Sequence, residues 1–170
     1  MNLYDATVPV FGHKLAAVNS WLDKAVAFAE QKKFDPETLL SARLAPDMIP
    51  LSGQIQIACD NVKGIVARLT GTEAPKHADT EKTIAELRQR IGLVTDYLGT
   101  LKREDFVGAE DREVKLPWLR DGHPMRGGDY LDHYALPNLY FHLATAYGIL
   151  RHNGIDLSKK DFISFVPFKD

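Results

Sequence analysis

The sequence predicts an all-α protein, a four-helix bundle with one small non-helical insertion before its last helix. Three observations predict it. Apolar residues recur at alternating steps of three and four along four separate segments, which draws a stripe down one face of each helix. Turn and stop residues fall between those segments. The one long stretch that loses this period, residues 103–134, alternates polar and apolar residues in part instead. With 170 residues the chain suits one domain, 1–170, with one sizeable core.

The first helix is expected from about residue 8 to 31, where Phe11, Leu15, Val18, Leu22, Ala25 and Ala29 form the stripe. Thr7 is its expected N-cap, because a Thr hydroxyl can accept from a free first-turn N–H. Trp21 and Phe28 lie beside the stripe and widen the apolar face. A linker over about 32–45 carries Asp35-Pro36-Glu37, a turn or short helix start. The second helix is expected from Pro46-Asp47, since Pro suits a first turn. Its stripe is Met48, Leu51, Ile55, Ala58, Val62, Ile65 and Leu69, and Gly71 is a natural stop. The third is expected after Asp79 or Thr80, with Ile84, Leu87, Ile91, Val94, Leu98 and Leu101 facing inward. Glu81, Lys82, Glu86, Arg88, Gln89 and Arg90 are expected on its solvated faces.

Within 103–134, Arg112 to Leu116 alternates, Asp121-Gly122 is a turn signal, and Met125 to Leu131 can return, so a small β-hairpin or ordered loop is expected. Gly127-Gly128 is too sparse for a phosphate cradle. Trp118 and Tyr130 either lid the end of the bundle or anchor the hairpin to it. His123 and His133, with Asp121, Asp129 and Asp132, either gather a surface metal or serve as ordinary loop polarity. The fourth helix is expected from about Pro137 to Asn153, with Gly154 just past its end and Arg151 and His152 where the helix dipole favours positive charge. Ser158-x-x-Asp161 resembles a capping box for one last turn, and the aromatic tail FISFVPFKD is expected to pack.

Composition narrows the function classes. Formal net charge is −2 with acids and bases spread along the chain, which disfavours nucleic-acid binding and a polybasic membrane surface. No apolar run approaches the ~20 residues that cross a bilayer, and the N-terminus has no signal pattern. One cysteine, Cys59, excludes an internal disulfide and fits a reducing, cytoplasmic setting. A buried inert thiol is the expected state of Cys59.

The fourth helix raises the functional question. From Leu136 to Leu150 it has no Asp, Glu, Lys or Arg, so it is expected at the centre of the bundle or in a subunit interface. Yet Asn138, His142, Thr145 and His152 fall in one line along it. A buried polar side chain left unpaired costs roughly 1–3 kcal/mol, so Asn138 and His142 need partners. Gln54, Gln56 and Asp60 on the second helix are the candidates. Asp60 either polarises His142 or is a solvated helix charge. Tyr140 and Tyr147, one heptad apart, either pack in the core or line a ligand pocket with His142.

A resemblance sharpens this. Residues 135–154, ALPNLYFHLATAYGILRHNG, resemble the closing-helix motif of an uncharacterised family within the DinB/YfiT-like bundles. LYDATVPVF and RLAPDMIPLSGQIQIACD also resemble that family's segments, and the likeness covers nearly the whole chain. It implies the DinB/YfiT-like fold and no assigned activity. The wider superfamily often carries a three-histidine metal site, one His from a Leu-x-x-His on the second helix and two from a His-x-x-x-His on the last. The corresponding positions here are Gln54, Asn138 and His142, so one histidine of three is present.

Two readings follow. One is a cytoplasmic protein with no cofactor and no catalytic site, which binds a small molecule or self-associates. A homodimer is expected, because Trp21, Phe28 and the uncharged last helix leave excess apolar surface. The other is a divergent metal-dependent transferase of the thiol S-transferase type. It would hold a divalent metal such as Mn²⁺ or Mg²⁺ through His142, Asn138 and Gln54, with Asp60 nearby. Convergence of these side chains on one point favours the enzyme; direct bonding between them favours a structural role.

Overall fold

The computed structural model describes residues 2–119 and 122–167. Four long apolar stripes become the four core helices. Helix α1 spans Leu3–Lys32, α2 Leu51–Thr70, α3 Ile84–Thr100 and α5 Leu136–His152. A short α4, Gly127–Tyr130, leads into α5, and α6, Lys159–Ile163, follows it. Helix α2 lies between α3 and α5, its closest partner, and α1 packs on α3, α2 and, less extensively, α5. Phe11, Leu15, Val62, Leu87, Val94 and Leu139 are among the core side chains, each at most 1% exposed.

Helix starts differ from the sequence expectations, each for a local reason. Helix α1 begins at Leu3 because Asn2 caps it, accepting from the Tyr4 N–H at 2.8 Å. Thr7 is therefore no cap; it is buried inside the helix and its hydroxyl donates to the Leu3 carbonyl at 2.6 Å. Helix α2 begins at Leu51, not at Pro46-Asp47. Pro50 disfavours the helical conformation at Ile49, so a helix starting at Pro46 cannot run through it. Met48 instead closes a turn with Ala45. Helix α3 begins at Ile84, not after Asp79 or Thr80, because Thr83 and Glu86 complete a reciprocal capping box there. The linker contains the expected short turn, a 3₁₀ segment at Pro36–Ser41 capped by Asp35.

The expected hairpin is present and minimal. Strand β1, Glu113–Val114, pairs antiparallel with β2, Met125–Arg126, in the register Glu113 to Arg126 and Val114 to Met125. Asp121 lies outside the described residues. The chain does not continue as strand to Leu131; it turns helical at Gly127, well before the expected start at Pro137. Gly127 is required there, since a Cβ would sit 1.9 Å from the Ala109 carbonyl oxygen. Between α4 and α5 one turn, Leu131–Ala135, widens to π geometry, with the Leu136 N–H bonded to the Leu131 carbonyl. Pro137 explains the widening: it has no N–H to offer, and its ring crowds the carbonyl four residues back. Helix α5 ends as expected, with Gly154 at φ 95° and the Ile155 N–H returning to the Leu150 carbonyl.

Apolar groups expected to be in excess are partly used within the chain. Trp21 is 1% exposed beneath Phe162 and Tyr147, and its indole N–H donates to the Asp161 carbonyl. Phe28 packs edge-on to Phe34. Ser158 and Asp161 form the expected capping box of α6, and the following segment lies on α1, where Phe165 stacks on His13. Phe168, Lys169 and Asp170 lie outside the described residues. Among the described residues no helix is long and apolar enough to cross a membrane.

Candidate functional site

Helix α5 turns His142 toward α2, where Gln54 meets it. The two are 8% and 1% exposed, and Nδ1 of His142 lies 2.7 Å from Oε1 of Gln54. Gln54 donates its own amide to the Ile49 carbonyl at 3.0 Å, a carbonyl that lies ahead of the helix. That bond fixes the amide orientation, so Oε1 accepts and His142 carries its proton on Nδ1. Burial lowers the His142 pKa, which keeps the ring neutral. Of the two geometries distinguished from sequence, Gln54 and His142 adopt direct contact.

Asn138 does not join them. Its amide donates to Asn61 Oδ1 at 3.0 Å, about two turns along α2 from Gln54. Thr145 bonds the Phe141 carbonyl of its own helix. The expected polar line thus resolves into separate contacts rather than one network. Tyr147 points the other way, donating to the Leu157 carbonyl and packing on Trp21 and Phe162. Tyr140 and Tyr147 lie about 140–160° around the helix from His142, so the three do not line one pocket. Tyr140 is half-buried and its pKa is raised by burial.

These positions do not fit a metal held by His142, Asn138 and Gln54. The Gln54 oxygen is spent on the His142 N–H, and Asn138 faces Asn61. Amide groups are also weak ligands for the metals that imidazole attracts. Among the described residues no three His, Cys, Asp or Glu side chains gather as a metal site needs, the His123 and His133 loop included.

Sequence reasoning missed a second cluster, on the opposite side of α2. Arg90 is not on a solvated face of α3; it is 2% exposed. Its guanidinium donates to Glu81 at 2.9 Å, to Asp60 at 2.8 Å and to the Ala78 carbonyl at 3.1 Å, and pairs with Asp79 at 2.9 Å. Gln56 donates to the other Glu81 oxygen, and the buried Lys63 pairs with Asp60 and approaches His77 Nδ1 at 3.3 Å. Gln56 and Asp60 therefore face α3 and the 72–83 segment, not His142. Glu81 precedes α3 and pins that segment down. Burial alone would raise its pKa, but the bonds from Arg90 and Gln56 outweigh it and hold it below the ordinary value. His77 is lowered by burial and by the Lys63 and Arg90 charges. A spacing signal existed. Arg90 falls three residues after Leu87 and four before Val94, on the flank of the apolar stripe.

Cys59 is fully buried beside this cluster, and burial pushes its thiol up to about 12, which makes it inert as a nucleophile. At the hairpin, Tyr130 is buried and anchors the segment. Trp118 is 64% exposed, donates to the Tyr134 hydroxyl and lies under Arg68.

A helical bundle with a two-stranded hairpin ahead of its closing helix is a DinB-like fold. A family described as a domain of unknown function, DUF1993, matches residues 3–163, and the chain belongs to it. A crystal structure of a DinB family member protein from Shewanella denitrificans is similar throughout. It is 48% identical, covers 99% of this chain and 95% of its own, and superposes with a TM-score of 0.94. No curated protein matches the chain.

Proposed function

We propose that this DinB-family protein acts by association, as a cytoplasmic homodimer with no catalytic site and no cofactor of its own. The observation that carries the reading is the outer face of α5. Phe141 is 56% exposed there, beside exposed Pro137 and Ala144, and no charge interrupts the helix from Leu136 to Leu150. Leu44, 44% exposed, lies against Gly148, and Ile49, 43% exposed, continues the patch next to Gln54. A two-fold axis sets a face against itself, and an uncharged face meets its copy without like-charge opposition. The helix ends favour an antiparallel meeting, with exposed Asp129 and Asp132 at one end and Arg151 and His152 at the other. A stable interface needs roughly 800 Å² per partner, more than one helix face supplies, so the 42–50 linker belongs to it.

Sedimentation at about 10 µM should give a dimer, and Phe141→Glu should give a folded monomer, since a buried unpaired charge weakens an interface by several kcal/mol. A wild-type monomer at that concentration contradicts the proposal. Elemental analysis of tag-free protein addresses the cofactor: the proposal expects metal far below stoichiometric, and near-stoichiometric metal lost in His142→Ala contradicts it.

A further inference from the structure

We infer a second site, a groove between α1 and the C-terminal segment that takes a small amphipathic anion, a carboxylate on an apolar body. The groove holds about 390 Å³, within the usual range for small-molecule sites. Pro9 and Val10 of α1 form one wall, and Ile163, Phe165 and Pro167 the other. His13 and Phe165 close it by stacking, with ring centroids 4.1 Å apart.

Its one distinguishing polar feature is Lys14. The ammonium donates to the Phe162 carbonyl at 2.8 Å and the Ile163 carbonyl at 2.9 Å, and lies 5.3 Å from the Phe162 ring centre. All three partners are neutral. No carboxylate pairs with Lys14 among the described residues, and burial lowers its pKa, a sign of an uncompensated charge. Asp5, the acid that also lines the groove, is bound by Arg103. An ammonium has three donors and, among the described residues, two are used, so one remains for an incoming oxygen.

The far wall is built rather than loose. Ser164 holds φ 63° and ψ −78°, a strained turn closed by the Phe165 N–H on the Ile163 carbonyl. Lys14 grips the two carbonyls just before that turn. Lys14 therefore both fastens the wall and lines the groove. An apolar body shields the charge pair from water, which strengthens it. The Arg90 cluster lacks this property, because Asp60, Asp79 and Glu81 already pair with its charge.

The test is calorimetric titration of the full chain with octanoate, octanol and octyltrimethylammonium, each below its micelle concentration. Wild type should bind octanoate at one site with a Kd below about 1 mM, and the cation at least about tenfold more weakly. Lys14→Arg should stay within about threefold of wild type, whereas Lys14→Met should lose about tenfold for octanoate and little for octanol. His13 ring resonances should shift on octanoate binding. Saturation with no preference of octanoate over the cation overturns the inference on wild type alone, whatever the variants do. So does the absence of saturable octanoate binding, or octanoate affinity unchanged in folded Lys14→Met.

Discussion

Helix α2 is joined to two of its neighbours, α5 and α3, by opposite means. Toward α5 it uses neutral hydrogen bonds, Gln54 with His142 and Asn61 with Asn138. Toward α3 and the 72–83 segment it uses charge, with Asp60, Lys63, Arg90, Glu81 and Asp79 in direct contact. A neutral pair can be replaced by two well-packed apolar side chains at little cost, because both desolvated groups leave together. An ionic cluster cannot lose one member so cheaply, because the others stay behind. The first contact is therefore exchangeable. The second is a clasp that holds a long connection on the bundle.

The largest effect should come from the clasp. Arg90→Met should destabilise the protein by about 3 kcal/mol in urea denaturation, short of the extreme because Asp60 and Asp79 still reach water. Proteolysis should then cut first within 72–83. A loss below about 1 kcal/mol would mean the charges contribute no more than a surface pair.

The neutral pair should show a smaller and compensable effect. His142→Leu alone should cost about 2 kcal/mol, since it leaves the Gln54 oxygen buried without a donor. The double variant His142→Leu with Gln54→Leu should recover most of that loss, giving a coupling of at least about 1 kcal/mol in a double-mutant cycle. Additive losses would break the comparison.

Acid should separate the two regions by the pH window in which each fails. The His142 pKa is lowered in the fold, so the unfolded chain binds a proton first as pH drops below about 6.5, and stability falls from there. His77 beside Lys63 is lowered too and contributes in the same window. Glu81 is a depressed carboxyl, so its contribution is present above its ordinary value and is lost as pH falls below about 4.5. His142→Leu should flatten the slope between about pH 6.5 and 5 in part, and His77→Gln the remainder. Arg90→Met should flatten it chiefly below about 4.5. An unchanged profile in all three variants would remove titration from the account.

The comparison also explains what could be read from sequence. The four stripes were legible because burial imposes the helical period over many residues. Asn138 and His142 are legible as part of a polar line on an otherwise apolar helix, and Gln54 is among the candidate partners for them on the second helix. Helix starts were not, because a cap is a single local bond: Asn2 outcompetes Thr7, and Pro50 overrides Pro46. The burial of Arg90 is not legible, because an arginine beside charged neighbours looks solvated. Its acids come from two places, Asp60 on α2 and Asp79 and Glu81 on the connection, and only the fold brings them together. The early start of the last helix was hidden by Pro137, which marks a helix end unless a π turn accommodates it.

The central claim is that His142 spends its proton on Gln54 and is not one of a set of metal ligands. Long-range ¹⁵N NMR of the histidine rings, with one equivalent of Zn²⁺ added afterwards, tests it most directly. The account predicts a neutral His142 ring protonated on Nδ1, with nitrogen shifts that move in Gln54→Leu and do not move with zinc. A ring protonated on Nε2, or nitrogen shifts that jump to metal-bound values, would contradict it.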